Sequence, residues 1–227
     1  MVIYVTNRNL CRDDFLKRIE YLASGKPHSI ILREKNLSPE DYQALAEKVK
    51  PITDSAGVQL IVNKFIETAK NLGIATVHVS MGDLVKYQDA LQYFSQVWVS
   101  VHSAKEAQEA YNSGASALIA GHIYETDCKK DLSPRGLNFL REVCSSVSIP
   151  VFGIGGITRD RVKEVTEAGA EGVCIMSEAM TSLSPSSLTS HMLSFTLKDS
   201  CYAVNDYNYN KNSSKYHKPP FPKQCHL

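Results

Sequence analysis

The residues able to do chemistry gather just after short apolar runs. "GHIYETDCKKDLSPRG" (121–136) follows "ALIA" (117–120) and puts a histidine, acids, a cysteine and lysines into one turn-like stretch. His122 stands two residues past the apolar run, where an imidazole can take up and return a proton near neutral pH. Lys129 and Lys130 add positive charge to that loop, and Glu125 and Asp127 can fold it by pairing with them or with Arg135. "LREK" ends another run. Arg33 and Lys35 are two apart, so on extended chain they point the same way, toward a phosphate or a carboxylate. "VNKF" supplies Asn63 as a polar contact, followed at once by Lys64.

Two more run ends suit an anion. In "GIGGIT", Gly155 and Gly156 allow close backbone approach to a ligand, and Thr158 can cap the next helix. In "IMSEA", Met176 precedes Ser177, which can open a short helix whose bare amides hold a phosphate. Ser100, in "SVHS", completes the candidate substrate contacts. His78 alternates with apolar neighbours and reads as structural, while His102 is open between a structural and a functional role.

These residues need a scaffold that brings run ends together. The apolar runs are 2–6, 29–33, 59–62, 76–79, 97–100, 117–120, 151–154 and 172–176. They are rich in Val and Ile and apolar on both faces, as strands of a covered parallel sheet are. Amphipathic segments separate them. One opens with Ser38 as cap and Pro39 at the first helical position, and Pro51 is expected to kink or end it. Another has Ser103 as cap, Glu106 three residues on and Gly114 as stop, and the segments beginning at Ser133 and Thr158 read alike. Eight strands alternating with helices predict an α/β fold, a (β/α)8 TIM barrel, whose active site lies at the strand ends. The barrel domain is expected over 1–198. From 199 to 227 the chain is rich in Asn, Lys, Tyr and Pro without periodicity and reads as a flexible polar tail.

Composition narrows the partners. The 227 residues carry a formal charge of +1, so neither nucleic acid nor a membrane surface is expected as a partner. No apolar run approaches the roughly 18 residues of a membrane span, and the N-terminus lacks a signal peptide's pattern. The six cysteines form no C-x-x-C pair, so reduced thiols in a cytoplasmic protein are expected, without metal.

Taken in order, "LREKNLS", "SVHS", "KKD", "IPVFGIGGIT" and "AGAEGVCIMS" resemble the thiamine-phosphate synthase superfamily over nearly all of residues 1–198. The synthases join a pyrimidine diphosphate to a thiazole phosphate using Mg2+. Against their pattern, Ile31 replaces a Gln, Lys64 replaces a metal-side Asp, and "YETDCKK" replaces a Pro-Thr-x-Thr-Lys loop, while Asp83 and Lys129 keep it. A cation at the metal-side position argues against the synthase reaction. The "GH" followed by "ETDCKK" is similar to the TenI-like thiazole tautomerases. That branch implies a catalytic His122, a phosphorylated thiazole as substrate and product (or thiamine phosphate as ligand), no cofactor, and a homodimer. The synthase reaction, alone or beside the tautomerase, and a non-catalytic thiazole or thiamine phosphate regulator are the alternatives.

Overall fold

The computed structural model describes residues 1–129 and 131–194, with Cys128 described in its backbone only. The tail expected over 199–227 and the boundary at 198 lie outside these residues. The strands are β1 (Val2–Val5), β2 (Ser29–Leu32), β3 (Gln59–Asn63), β4 (Thr76–Ser80), β5 (Gln96–Val101), β6 (Ala117–Gly121), β7 (Val151–Ile154) and β8 (Gly172–Ile175). All pair in parallel, in sequential order, and β8 returns to β1 to close a barrel. This is the (β/α)8 fold expected from the apolar runs, with strand ends displaced by a residue or so.

The helices are α1 (Phe15–Ser24), α2 (Pro39–Ala56), α3 (Ile66–Asn71), α4 (Met81–Lys86), α5 (Gln88–Leu91), α6 (Ala104–Asn112), α7 (Gly136–Ser146), α8 (Val162–Glu167), α9 (Ser177–Thr181) and α10 (Leu188–Leu193). Alternation along each strand divides the core. Ile3, Val5, Ile31, Ile61, Trp98, Phe152 and Cys174 fill the barrel, while Val2, Tyr4, Ile30 and Leu32 pack outward with helix residues such as Ile19, Tyr42 and Val49. Trp98 and Phe152 stack at 4.9 Å in the interior. Both faces of every strand are thus covered, which is why the runs lack polar alternation.

Local signals mostly held. Ser38 and Ser103 accept the amides of Asp41 and Glu106, and Glu106 reaches back to the His102 amide, a reciprocal cap. Three expectations need correction. Pro51 neither ends nor breaks α2, which runs on to Ala56 and stops at Gly57 in the left-handed conformation. Packing of Tyr42, Ala46, Val49 and Thr53 against the barrel outweighs the missing amide bond. Thr158 gives its hydroxyl to Asp160 rather than capping a helix, and a 3-10 turn (Arg159–Arg161) precedes α8. α7 begins at Gly136 without a side-chain cap, because the Arg135 and Gly136 amides bond the carbonyls of His122 and Ile123 instead. No helix among the described residues is long and apolar enough to cross a membrane.

Candidate active site

The C-terminal strand ends form the mouth, and backbone ties hold its rim. Tyr42 of α2 donates its hydroxyl to the Leu32 carbonyl and accepts the Asn63 amide, clamping the tips of β2 and β3 together. Beyond β2 the chain stays extended in alternation. Arg33 and Lys35 line one cleft, and the Arg33 charge, then burial, Lys129 and Lys64, lowers the Lys35 pKa. Glu34 points elsewhere and is buried, accepting the Thr6 hydroxyl at 2.6 Å and the Arg8 amide at 3.1 Å. This buried carboxylate ties the first loop to the second. Sequence reasoning passed over it, although its place between two same-facing cations was the available signal. A cleft of about 190 Å3 opens here, lined by Asn7, Arg8, Asn9, Arg33, Glu34, Lys35 and Asn36.

Lys129, in the turn after β6 (Asp127–Lys129), also has a lowered pKa, from burial first, then Arg135 and Arg33. The expected cations Arg33, Lys35 and Lys129, and Lys64 with them, thus all stand at C-terminal strand ends. Arg33 also reaches Met176 across the mouth, Nη1 to Sδ 3.8 Å, which places the eighth strand end beside the second.

Asn63, His78 and Ser100 form a chain along the inner wall. The Asn63 amide nitrogen donates to the His78 carbonyl and to His78 Nδ1, both at 3.1 Å. Nδ1 must then accept, so the ring proton sits on Nε2 and is donated to Ser100 Oγ at 2.8 Å. Burial, then the Arg33 and Lys35 charges, push the His78 pKa down to about 4, keeping the ring neutral. Both ring nitrogens of His78 are thus satisfied, and it orients two of the candidate contacts.

His122 is 4% exposed. Its Nε2 donates to the Leu132 carbonyl at 3.1 Å, while Nδ1 is buried without a hydrogen-bond partner, as is His102 Nδ1. The loop it opens lies on the loop after β7. Ile123 and Tyr124 donate their amides to the carbonyls of Ile154 and Gly155. A Cβ at Gly155 would stand 2.3 Å from His122 Cβ, and one at Gly156 would stand 2.2 Å from the Glu125 carbonyl oxygen. Both glycines have positive φ, 101° and 63°. They are required first by this loop-on-loop packing. Arg161 adds a latch, its guanidinium 4.4 Å over the Tyr124 ring and bonded to the Gly156 carbonyl, while Tyr124 hydrogen-bonds Glu164. Ser177 opens α9 just beyond Met176.

The Mg2+ that the resemblance implies does not fit the residues present. Lys64 is exposed at the metal-side position, and Asp83 accepts the Ser80 hydroxyl at 2.7 Å within the cap of α4. Among the described residues no three of His, Cys, Asp or Glu are grouped to hold a metal ion.

The family described as Thiamine monophosphate synthase matches residues 2–179. A "Thiamine-phosphate synthase" of Clostridium acetobutylicum is 36% identical over 176 residues, 76% of this chain and 83% of that protein. One of Methanobrevibacter smithii is 32% identical over 192 residues, 83% and 91% of the two chains. The structure of a thiamine phosphate pyrophosphorylase from Pyrococcus furiosus superposes with a TM-score of 0.76 at 25% identity, covering 85% of this chain and 93% of that one. These relatives overturn the thiazole-tautomerase expectation. Ile31, inside the barrel, and Lys64, at its mouth, depart from the synthase pattern, yet they are single side chains in a framework shared with proteins carrying the synthase name.

Proposed function

Because the chain belongs to the thiamine monophosphate synthase family, we propose that it is a thiamine-phosphate synthase, a transferase that joins a pyrimidine diphosphate to a thiazole phosphate. The observation that carries this reading is the place of four cations at the C-terminal strand ends, Arg33 and Lys35 just past β2, Lys64 just past β3 and Lys129 in the turn after β6, a concentration of charge suited to a diphosphate. In the reaction, the bond from the pyrimidine's exocyclic methylene to the diphosphate oxygen breaks, and its electron pair leaves with the diphosphate. The thiazole nitrogen lone pair forms the new C–N bond to that carbon, so the bond exchange needs no proton transfer, and the diphosphate leaves with one more negative charge than it had as an ester.

The site's own residues supply charge and placement. The cations stand at the strand ends before reaction, where they can meet the negative charge that grows on the departing diphosphate. Asn63 and Ser100 are held by His78; Ser100 Oγ accepts the His78 proton, leaving its own hydroxyl to donate to the substrate. Amides at Gly155, Gly156 and Ser177, on the loops after β7 and β8, anchor the thiazole phosphate. His122 holds the sixth loop through Leu132. The reading includes a homodimer in the cytoplasm.

The test supplies purified protein with both substrates, with and without Mg2+, and follows thiamine phosphate and free diphosphate. Formation of the two in equal amounts at an enzymatic rate is expected. Absence of thiamine phosphate under both conditions, with the thiazole phosphate still bound, overturns the reading in favour of a ligand-binding regulator.

A further inference from the structure

The mouth has cations where a metal-assisted site needs acids. Arg33 and Lys35 stand past β2, Lys64 directly past β3, and Lys129 in the turn after β6. The carboxylates of Glu34 and Asp83 are turned to other work, Glu34 to Thr6 and Arg8, and Asp83 to Ser80. Lys64 is also unusual in its backbone. Its φ is +73°, a left-handed conformation that Gly, Asn and Asp adopt more readily than Lys. The conformation is fixed locally, with the Lys64 amide bonded to the His78 carbonyl at 3.0 Å. A lysine held where its backbone is disfavoured points to a use for its side chain.

Resting on the synthase reading, we propose that the Lys64 ammonium takes the place of a divalent cation, so that this chain binds and releases diphosphate with Arg33, Lys35, Lys64 and Lys129 and without Mg2+. When the methylene–oxygen bond breaks, the charge that develops on the departing diphosphate is met by ammonium and guanidinium groups, which need no coordination shell. A metal ion drawn to the same oxygens would instead meet repulsion from Lys64 and its neighbours.

Titration calorimetry with inorganic diphosphate, in EDTA and in Mg2+, tests this. Binding in EDTA is expected, with Mg2+ tightening it by less than about threefold, under the tenfold that 1.4 kcal/mol represents. Lys64→Asp suits the left-handed backbone, so circular dichroism should be unchanged. That variant is expected to lose about tenfold or more in affinity in EDTA, through one lost charge-assisted contact and added repulsion, and to regain it with Mg2+. Wild-type binding that Mg2+ tightens more than threefold overturns the proposal, as does a Lys64→Asp variant that binds like wild type in EDTA. The outcome separates from that of the synthase reading. Thiamine phosphate formed only with Mg2+ keeps the synthase and removes this proposal, whereas metal-independent diphosphate binding without thiamine phosphate does the reverse.

Discussion

At the scale of single residues, His78 makes stability depend on pH. Its folded pKa of about 4 lies below the ordinary 6.5, because burial and two nearby cations disfavour the imidazolium. The unfolded chain therefore binds a proton that the native state refuses. The stabilisation is whole above pH 6.5 and is lost as pH falls toward 4, up to about 3 kcal/mol for this one group. Urea titrations of wild type and His78→Asn between pH 4 and 7 check this, and the variant is expected to show the shallower loss. Gly155 carries a steric prediction. With φ at 101° and His122 Cβ 2.3 Å from where a Cβ would stand, Gly155→Ala is expected to destabilise by roughly 2–5 kcal/mol in urea denaturation. That residue demands glycine whether or not its amide meets a phosphate.

At the scale of elements, α2 carries a fault that its packing tolerates. Pro51 is exposed inside the helix and leaves the Glu47 carbonyl without its usual amide. Pro51→Ala restores that bond and is expected to raise stability by roughly 1–3 kcal/mol, measurable as a higher Tm, with the rest of the helix unchanged. The cap of α6 works in the opposite direction. Ser103→Ala removes the acceptor for the Glu106 amide and is expected to cost about 1 kcal/mol in chemical denaturation. Caps of this kind were legible because a cap is written within four residues. The starts of α7 and α8 were not, since Arg135 and Gly136 bond to the sixth loop and Thr158 turns to Asp160, partners that local spacing does not specify.

At the scale of the whole molecule, closure of the barrel encloses a second core apart from the one beneath the helices. Phe152 lies in it, stacked on Trp98 at an interplanar angle of 11°. Phe152→Ala opens a cavity that eight paired strands cannot collapse, and it is expected to cost about 3–5 kcal/mol, read as a lowered urea midpoint. The mouth above inherits this rigidity, which holds Asn63 on β3, Ser100 on β5 and Arg33 just past β2.

Sequence alone determined the alternation of strands and helices, and with it the barrel, because apolar periodicity and caps are short-range properties that burial acts on directly. It also determined which residues stand at strand ends, Arg33, Lys35, Asn63, Lys129 and Ser177 among them. Only the tertiary structure decided how those ends meet. It turned Glu34 away from Arg33 and Lys35, placed His78 between Asn63 and Ser100, and set Tyr124 under Arg161. It also gave Gly155 and Gly156 the sixth loop as a neighbour and engaged His122 Nε2 with Leu132. The reason is geometric. A side chain's direction at the mouth depends on contacts with loops dozens of residues away, and those contacts exist only once the barrel has closed.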